Sequence, residues 1–184
     1  MIYIAAHSRL LAQIISNETV QDKDGTKNCK KLTVSVQKYP RLYTTVGSQS
    51  NIELLRSSHV FQTLLLVKEG KVIGYMELQN NYYDGLTVKY VVHSVYVEPT
   101  YRGQRLGIVL YAGAIHCFKH IASDALIAVG AVRTWHSLAK LGYRVKMWSS
   151  SFDCPKQFTW GDDGIPVIDG KSIERTSEEF IFYV

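Results

Sequence analysis

Two arginines and two glycines, Arg102, Gly103, Arg105 and Gly107, fall close together in "VEPTYRGQRLGIVLY" (97–111), just ahead of an apolar, proline-free segment. The glycines therefore stand where a helix would begin. The first turn of a helix leaves about four backbone N–H groups unpaired and carries the positive end of the macrodipole, which favours an anion, and phosphate above all. Glycine removes side chains that would hold a phosphate off the backbone, and guanidinium groups pair well with phosphate oxygens. The run Arg102, Gly103, Gln104, Arg105, Leu106, Gly107, Ile108 is thus a candidate seat for a diphosphate. An ordinary strand-to-helix turn with packed glycines and solvated arginines would carry the same pattern. The lysine and spacing of a G-x-x-x-x-G-K-[ST] phosphate loop are missing, and so is the G-x-G-x-x-G of dinucleotide-binding folds.

His116 and His120 are four apart on the same expected helix, a separation at which two imidazoles share a metal. Without an H-E-x-x-H glutamate or a third ligand, packing and solvation are the expected roles, and no metal is expected. Three cysteines, Cys29, Cys117 and Cys154, are odd in number and far apart, with no C-x-x-C pair. Neither a disulfide framework nor a thiolate zinc site is expected, and a reducing, cytoplasmic setting suits them.

The elements that must position these residues are clearest from Phe61 onward. "FQTLLLVKEGKVIGYMEL" gives two strands flanking the turn "KEGK", a hairpin pattern. After the polar turn "QNNYYDG", the β-branched and aromatic "LTVKYVVHSVYVEP" predicts a strand ended by Pro99. A helix is predicted over Arg102–Ile121, apolar nearly all round, so covered on one side by the sheet and on the other by a terminal segment or a second subunit. "DALIAVGAV" (124–132) predicts a buried strand. "RTWHSLAKLGYRV" predicts a short helix that Gly142 ends. Upstream, "KLTVSVQKY" alternates like a strand and "SNIELLRSSHV" suits a short helix capped by Ser50 or Asn51. The tail after residue 148 is mostly turns, with a last strand at Phe180–Val184. Strand, helix, strand, helix in succession implies parallel neighbours, and hence an α/β or α+β single domain over 1–184 with a mixed sheet.

The chain has 184 residues, 46% hydrophobic and 20% charged, with no repeat or low-complexity run, which excludes solenoid and disordered classes. Net charge is +5 and the pI about 9.0, compatible with an anionic ligand and, less well, with nucleic acid. The start "MIYIAAHSRLLAQIIS" has neither a basic n-region nor an unbroken apolar core, so a signal peptide is not expected. The apolar run "ALIAVGAV" falls far short of the ~20 residues of a membrane span.

Taken whole, "HSVYVEPTYRGQRLGIVLY" resembles the acyl-CoA-binding motif of the GNAT family of N-acetyltransferases, hydrophobic-x-V-x-P-x-x-R-G-x-G-x-G/A. The match runs through Val95, Val97, Pro99, Tyr101, Arg102, Gly103, Gln104, Leu106 and Gly107, and departs at Arg105, where the family most often has glycine. "KEGKVIGYMEL" looks like the family's second and third strands, and "ALIAVGAVRTWHSLAKLGYRV" like its fifth strand and following helix, so the resemblance covers about residues 60–148, with 1–59 and 149–184 family-variable. It implies a mostly antiparallel, twisted sheet flanked by helices, with a splayed pair of parallel strands binding CoA.

The resemblance further implies an acyltransferase that moves acetyl from acetyl-CoA directly to a primary amine. The diphosphate would rest on the amides from Arg102 to Ile108, and the pantetheine arm on Val95, Tyr96 and Val97. An alkylamine, with a pKa near ~10.4, is mostly protonated at neutrality and needs a proton acceptor. His93 stands where arylalkylamine acetyltransferases of the family carry a strand histidine, and Glu77 is the second candidate. Many members have a tyrosine where this chain has Leu138; Tyr143, Tyr111, Tyr96 or Ser137 are the available substitutes as acid. The partners implied are acetyl-CoA and an amine on a small molecule, a peptide, a protein or a charged tRNA, with a homodimer possible and no membrane. The alternatives are a catalytically silent GNAT-like CoA-binding module and a basic nucleic-acid-binding domain.

Overall fold

The structure, a computed structural model, describes residues 25–38, 40–49, 51–57, 62–124, 129–173 and 180–184. Helix α1 covers 25–38, α2 Leu106–Phe118 and α3 Val129–Lys140. Among the described residues nine strands form one sheet: β1 Tyr43–Gln49, β2 Ile52–Ser57, β3 Gln62–Lys68, β4 Lys71–Asn80, β5 Tyr90–Val97, β6 Ile121–Ala122, β7 Lys146–Ser149, β8 Cys154–Lys156 and β12 Phe180–Tyr183. Their order is β1-β2-β3-β4-β5-β6-β12-β7-β8. Three short strands, β9 Thr159–Trp160, β10 Pro166–Ile168 and β11 Lys171–Ser172, make a second sheet in the tail. The architecture is a mixed α/β unit whose sheet is mostly antiparallel, as expected.

The β3–β4 hairpin turns through Glu69 and Gly70, both at positive φ, as a tight two-residue hairpin requires. In β3, Leu64 and Leu66 join the core under α2, while Leu65 and Val67 face the cluster under α1. A sheet covered on both faces gives its strands a continuous apolar run. Leu54 and Leu55 divide between the same two cores, which is why 52–57 is strand β2 and not the expected helix. Asn51, expected as a helix cap, turns β1 into β2 at φ 62°.

Residues 31–38, expected as a strand, are helical. Cys29, Leu32 and Val36 share a helical face against Tyr75 and Tyr96, and Val34, which completes the apparent alternation, is 61% exposed. Thr33 Oγ1 accepts the Val72 N–H at 2.9 Å, and Thr26 Oγ1 lies 2.7 Å from the Tyr96 hydroxyl, so polar contacts as well as packing dock α1 on the sheet.

Strand β6 lies upstream of the one expected over 124–132. Residues 125–128 fall outside the described residues, and Val129–Val132 open α3. Helix α2 is shorter than expected at both ends, stopping before Lys119 at φ 68°. Its second cover is α3, with Tyr111 edge-on to Trp135 at 5.2 Å. Helix α3 ends as expected: Gly142, at φ 92°, donates to the Ala139 carbonyl at 3.0 Å and Tyr143 to the Leu138 carbonyl at 3.2 Å. Strand β12 closes the chain where predicted.

What positions the site is the meeting of β5 and β6. They pair in parallel at Tyr90 with Ile121 and Val91 with Ala122, and beyond that β5 runs on to Val97 while β6 does not follow.

Candidate active site

Strand β5 carries a bulge. Glu77 pairs with Ser94 and Leu78 with Val92, so His93 is the extra residue, at the level where β5 and β6 part, and it is exposed. Further along, the Tyr96 carbonyl lies against Gly74, 2.9 Å from where a Cβ would stand. By alternation, the backbone groups of Val95 and Val97 then face the β6 side, into the opening. Val95, paired with the buried Met76, is nonetheless 37% exposed, since no strand covers it there.

From Val97 the chain turns through Glu98, whose N–H donates to the Ile73 carbonyl at 2.8 Å and whose carboxylate meets Lys71 at 3.4 Å. Pro99–Tyr101 makes one 3-10 turn. Arg102 folds back: its Nε donates to the Val97 carbonyl at 3.0 Å and its guanidinium lies 5.7 Å from the Tyr96 ring centre. It therefore shapes the end of β5 as well as adding positive charge there.

Helix α2 opens without a side-chain cap. Its N-cap is Arg105, at φ 60° and ψ 17°, the left-handed region natural to glycine. Among the described residues the first α2 amide with a backbone acceptor is that of Ile108, to the Arg105 carbonyl at 3.0 Å; those of residues 103–107 have none. A Cβ on Gly103 would meet nothing within 4 Å, and one on Gly107 only Thr134 Oγ1 at 3.6 Å. Unpaired amides, open space and the exposed Arg102 and Arg105 fit a phosphate group.

Of the acid and base candidates, the structure brings Glu77 and His93 onto adjoining strands, with Glu77 half-buried opposite Ser94. Tyr143 is elsewhere, in the turn after α3, partly buried against the main core. Leu138 is fully buried in that core. Tyr111 is buried beside Trp135, and that burial pushes its phenol well above the usual range. Tyr96 turns toward α1, and the Ser137 hydroxyl donates to the Arg133 carbonyl at 2.8 Å. These last two side chains have structural contacts of their own.

The aromatic turn "NNYYDG" lies on the face opposite α2, with an Asp124 partner that the sequence does not foretell. There the β4–β5 loop folds over the sheet, with Leu86 and Val88 packing on Val91, Ala122 and Ile181. Asn81 pins the loop, its amide donating to the carbonyls of Leu86 at 2.7 Å and Tyr83 at 3.2 Å. The hydroxyls of Tyr82 and Tyr83 both donate to Asp124 Oδ1 at 3.0 Å. Nothing in the sequence joins residues 41 and 42 positions apart.

A cavity of about 400 Å³ lies at β7, β8 and β12, lined by Lys146, Lys156, Phe158, Trp160 and Tyr183 among others, and by none of the expected site residues. His120 lies past the end of α2, its Nδ1 3.2 Å from the Val184 carbonyl, so the His116–His120 spacing is not a helical one. No group of three potential metal ligands gathers among the described residues. None of their helices is long and apolar enough to cross a membrane.

With strand opening and helix start in place, comparison with known proteins defines the class. The model of the acetyltransferase (GNAT) family matches residues 30–143. The chain belongs to that family, and the match takes in most of α1 and all of β1 and β2, upstream of the segment where the motif resemblance begins. No curated protein matches the sequence. Among solved structures, the ribosomal-protein-S18-alanine N-acetyltransferase from Escherichia coli is similar at 14% identity, over 70% of each chain, with a TM-score of 0.40.

Proposed function

We infer that the chain is an acetyl-CoA-dependent N-acetyltransferase that moves acetyl directly from the thioester to a primary amine. One observation carries this: in an acetyltransferase-family chain, the open edge of β5 leads straight into a helix start whose amides from 103 to 107 have no backbone acceptor. Acetyl-CoA supplies the activated acyl group and the thiolate leaving group. The amides of residues 103–107 hold the diphosphate, those of Arg102 and Ile108 at either end being bonded to the Pro99 and Arg105 carbonyls, with Arg105 as a cation at the rim. Val95 and Val97 take the pantetheine amides, and Tyr96 between them faces β4. His93, exposed at the bulge, accepts the proton of the amine, with Glu77 as the second candidate. Outward N–H groups of β5 stabilise the developing oxyanion, and the thiolate takes its proton from water, since Tyr143, the expected acid, lies in the turn after α3 against the main core.

The burial of Leu138, where many members carry tyrosine, favours a second function: a GNAT-like module that binds CoA without turnover. Thiol release from acetyl-CoA, followed with small amines, peptides and aminoacyl-tRNA, separates the two. Transfer is expected, reduced about a hundredfold by His93→Ala. CoA binding with no release on any amine supports the silent module, and absence of CoA binding overturns both.

A further inference from the structure

We propose that the end of the molecule where α2 stops and β5 and β7 begin is a docking surface for the phosphodiester backbone of a nucleic acid, carried by Arg56, Lys89, Lys119 and Lys146. Cations and rings alternate there. The Arg56 guanidinium lies 4.6 Å from the centre of the Phe118 ring, Phe118 stands edge-on to Tyr90 at 5.0 Å, and the Lys89 ammonium lies 5.2 Å from the centre of Tyr90. Lys119 follows Phe118 directly. Burial pushes the Cys117 thiol up, and the two charges that oppose it are those of Arg56 and Lys119, so both reach the same point at the foot of α2. Strand pairing extends the row: Tyr90 stands opposite Ile121, and the next residue, Ala122, opposite Tyr183, which pairs in turn with Lys146. The Lys146 ammonium lies 5.8 Å from the centre of the Tyr183 ring. Four cations and three rings thus follow one another around this end of the sheet.

Charge is segregated in a way that suits a polyanion. Between Tyr101 and Lys146 the chain has seven lysines and arginines and one acid, Asp124, which the hydroxyls of Tyr82 and Tyr83 hold on the face opposite α2. Neither α2 nor α3 contains an acidic residue. Lys89, Lys119 and Lys146 are exposed, and the half-buried Arg56 donates from Nη2 to the Gln62 side chain at 3.1 Å. A cation resting on a ring keeps its place while its head stays in water. Such a row displaces the counterions condensed on a phosphodiester chain, which is the main source of affinity in binding that ignores sequence. An anionic membrane suits the surface less well. The exposed large apolar side chains among the described residues are Val34, Tyr82, Val95, Leu141 and Phe152, and none belongs to this row to anchor it in a bilayer. The assignment is independent of acetyl transfer, because none of the four cations belongs to the site described above.

The test follows the fluorescence anisotropy of a labelled RNA strand of about 12 nucleotides, a length within the span that one small domain covers. It is titrated at several salt concentrations with wild type, the surface variants Lys89→Gln, Lys119→Gln and Lys146→Gln, and the control Arg133→Gln on the outer face of α3. Wild type should bind with a logarithmic salt slope of about −3, and each variant in the row should weaken binding about threefold and make the slope shallower by about 0.7. Arg133→Gln should change both least. A DNA duplex of the same length, run in parallel, separates the two sources of the backbone, and binding of either supports the proposal. Binding that persists when acetyl-CoA is added keeps the nucleic acid off the start of α2. No binding at low salt, a loss in Arg133→Gln equal to that in the row, or displacement by acetyl-CoA overturns the proposal. So does polyglutamate that competes as well as RNA, or binding to phosphatidylserine vesicles with none to nucleic acid.

Discussion

Arg105 offers a test in which the sign of an effect, rather than its size, decides. Its backbone is left-handed at φ 60°, its side chain is exposed, and it makes no capping hydrogen bond. A left-handed residue bearing a Cβ costs roughly 1–2 kcal/mol, and glycine escapes that cost while adding about 0.4–1 kcal/mol of unfolded-state entropy. Arg105→Gly should therefore be more stable than Arg105→Ala by about 0.5–1 kcal/mol. At an ordinary exposed helical position, such as Arg133 in α3, the order reverses, with glycine about 1 kcal/mol worse than alanine. Urea unfolding followed by circular dichroism measures both pairs, and in a thermal melt a difference of 1 kcal/mol appears as about 2–4 °C. An Arg105→Ala protein as stable as Arg105→Gly would refute the conformational account. The same two proteins bear on function. If the backbone amides carry the diphosphate, losing the exposed charge should weaken acetyl-CoA binding by about fivefold at most.

Three further predictions rest on packing and titration. Gly113→Ala places a Cβ 2.3 Å from Leu54 Cδ2 under α2, so it should destabilise by about 1–2 kcal/mol instead of gaining the ~1 kcal/mol of an ordinary helical Gly→Ala change; a raised Tm contradicts this. Burial, reinforced by Glu98 and opposed by Lys71, pushes the Cys29 thiol up to about 12 from 9.0, leaving about a thousandfold less thiolate for reaction. Iodoacetamide at pH 8 should label Cys154 and spare Cys29 until denaturant is added, and equal labelling of the folded protein would overturn that. Burial first and Lys140 next hold the His136 imidazole below its ordinary 6.5, with Asp163 opposing. Because the folded pKa is the lower, this contribution to stability is whole above pH 6.5 and lost as the pH falls toward the folded value. His136→Gln should flatten that decline in Tm, and an unchanged slope would contradict it.

The half of the molecule around Arg102–Ile108 was legible because local pattern and tertiary need coincide there. Glu69 and Gly70 suit a tight turn, Pro99 stops a strand, and Gly142 sits at the one left-handed residue that ends α3. Misreadings fell where burial on two sides erases period. Leu54 and Leu55 look like one helical face and in fact point to opposite cores, and the apolar 129–132 looks like a strand but opens a helix packed on α2. Helix α1 misled in the opposite way, because exposed Val34 completes an alternation that the fold does not use. The proposed phosphate seat rests on Gly103 and Gly107, visible in the sequence, whereas the left-handed turn at Arg105 is visible only in the backbone. Tyr82, Tyr83 and Asp124 meet only because a pinned loop crosses the sheet.

The central claim, that the start of α2 seats the diphosphate of acetyl-CoA, is tested most directly by calorimetric titration of acetyl-CoA into wild type and Gly107→Glu. A Cβ at 107 has room, with Thr134 Oγ1 at 3.6 Å, and a carboxylate in the first helical turn favours the helix, so the variant should fold with undiminished stability. Wild type should bind, and Gly107→Glu should bind at least about tenfold more weakly. No binding by wild type, or equal binding by the two proteins, would contradict the account.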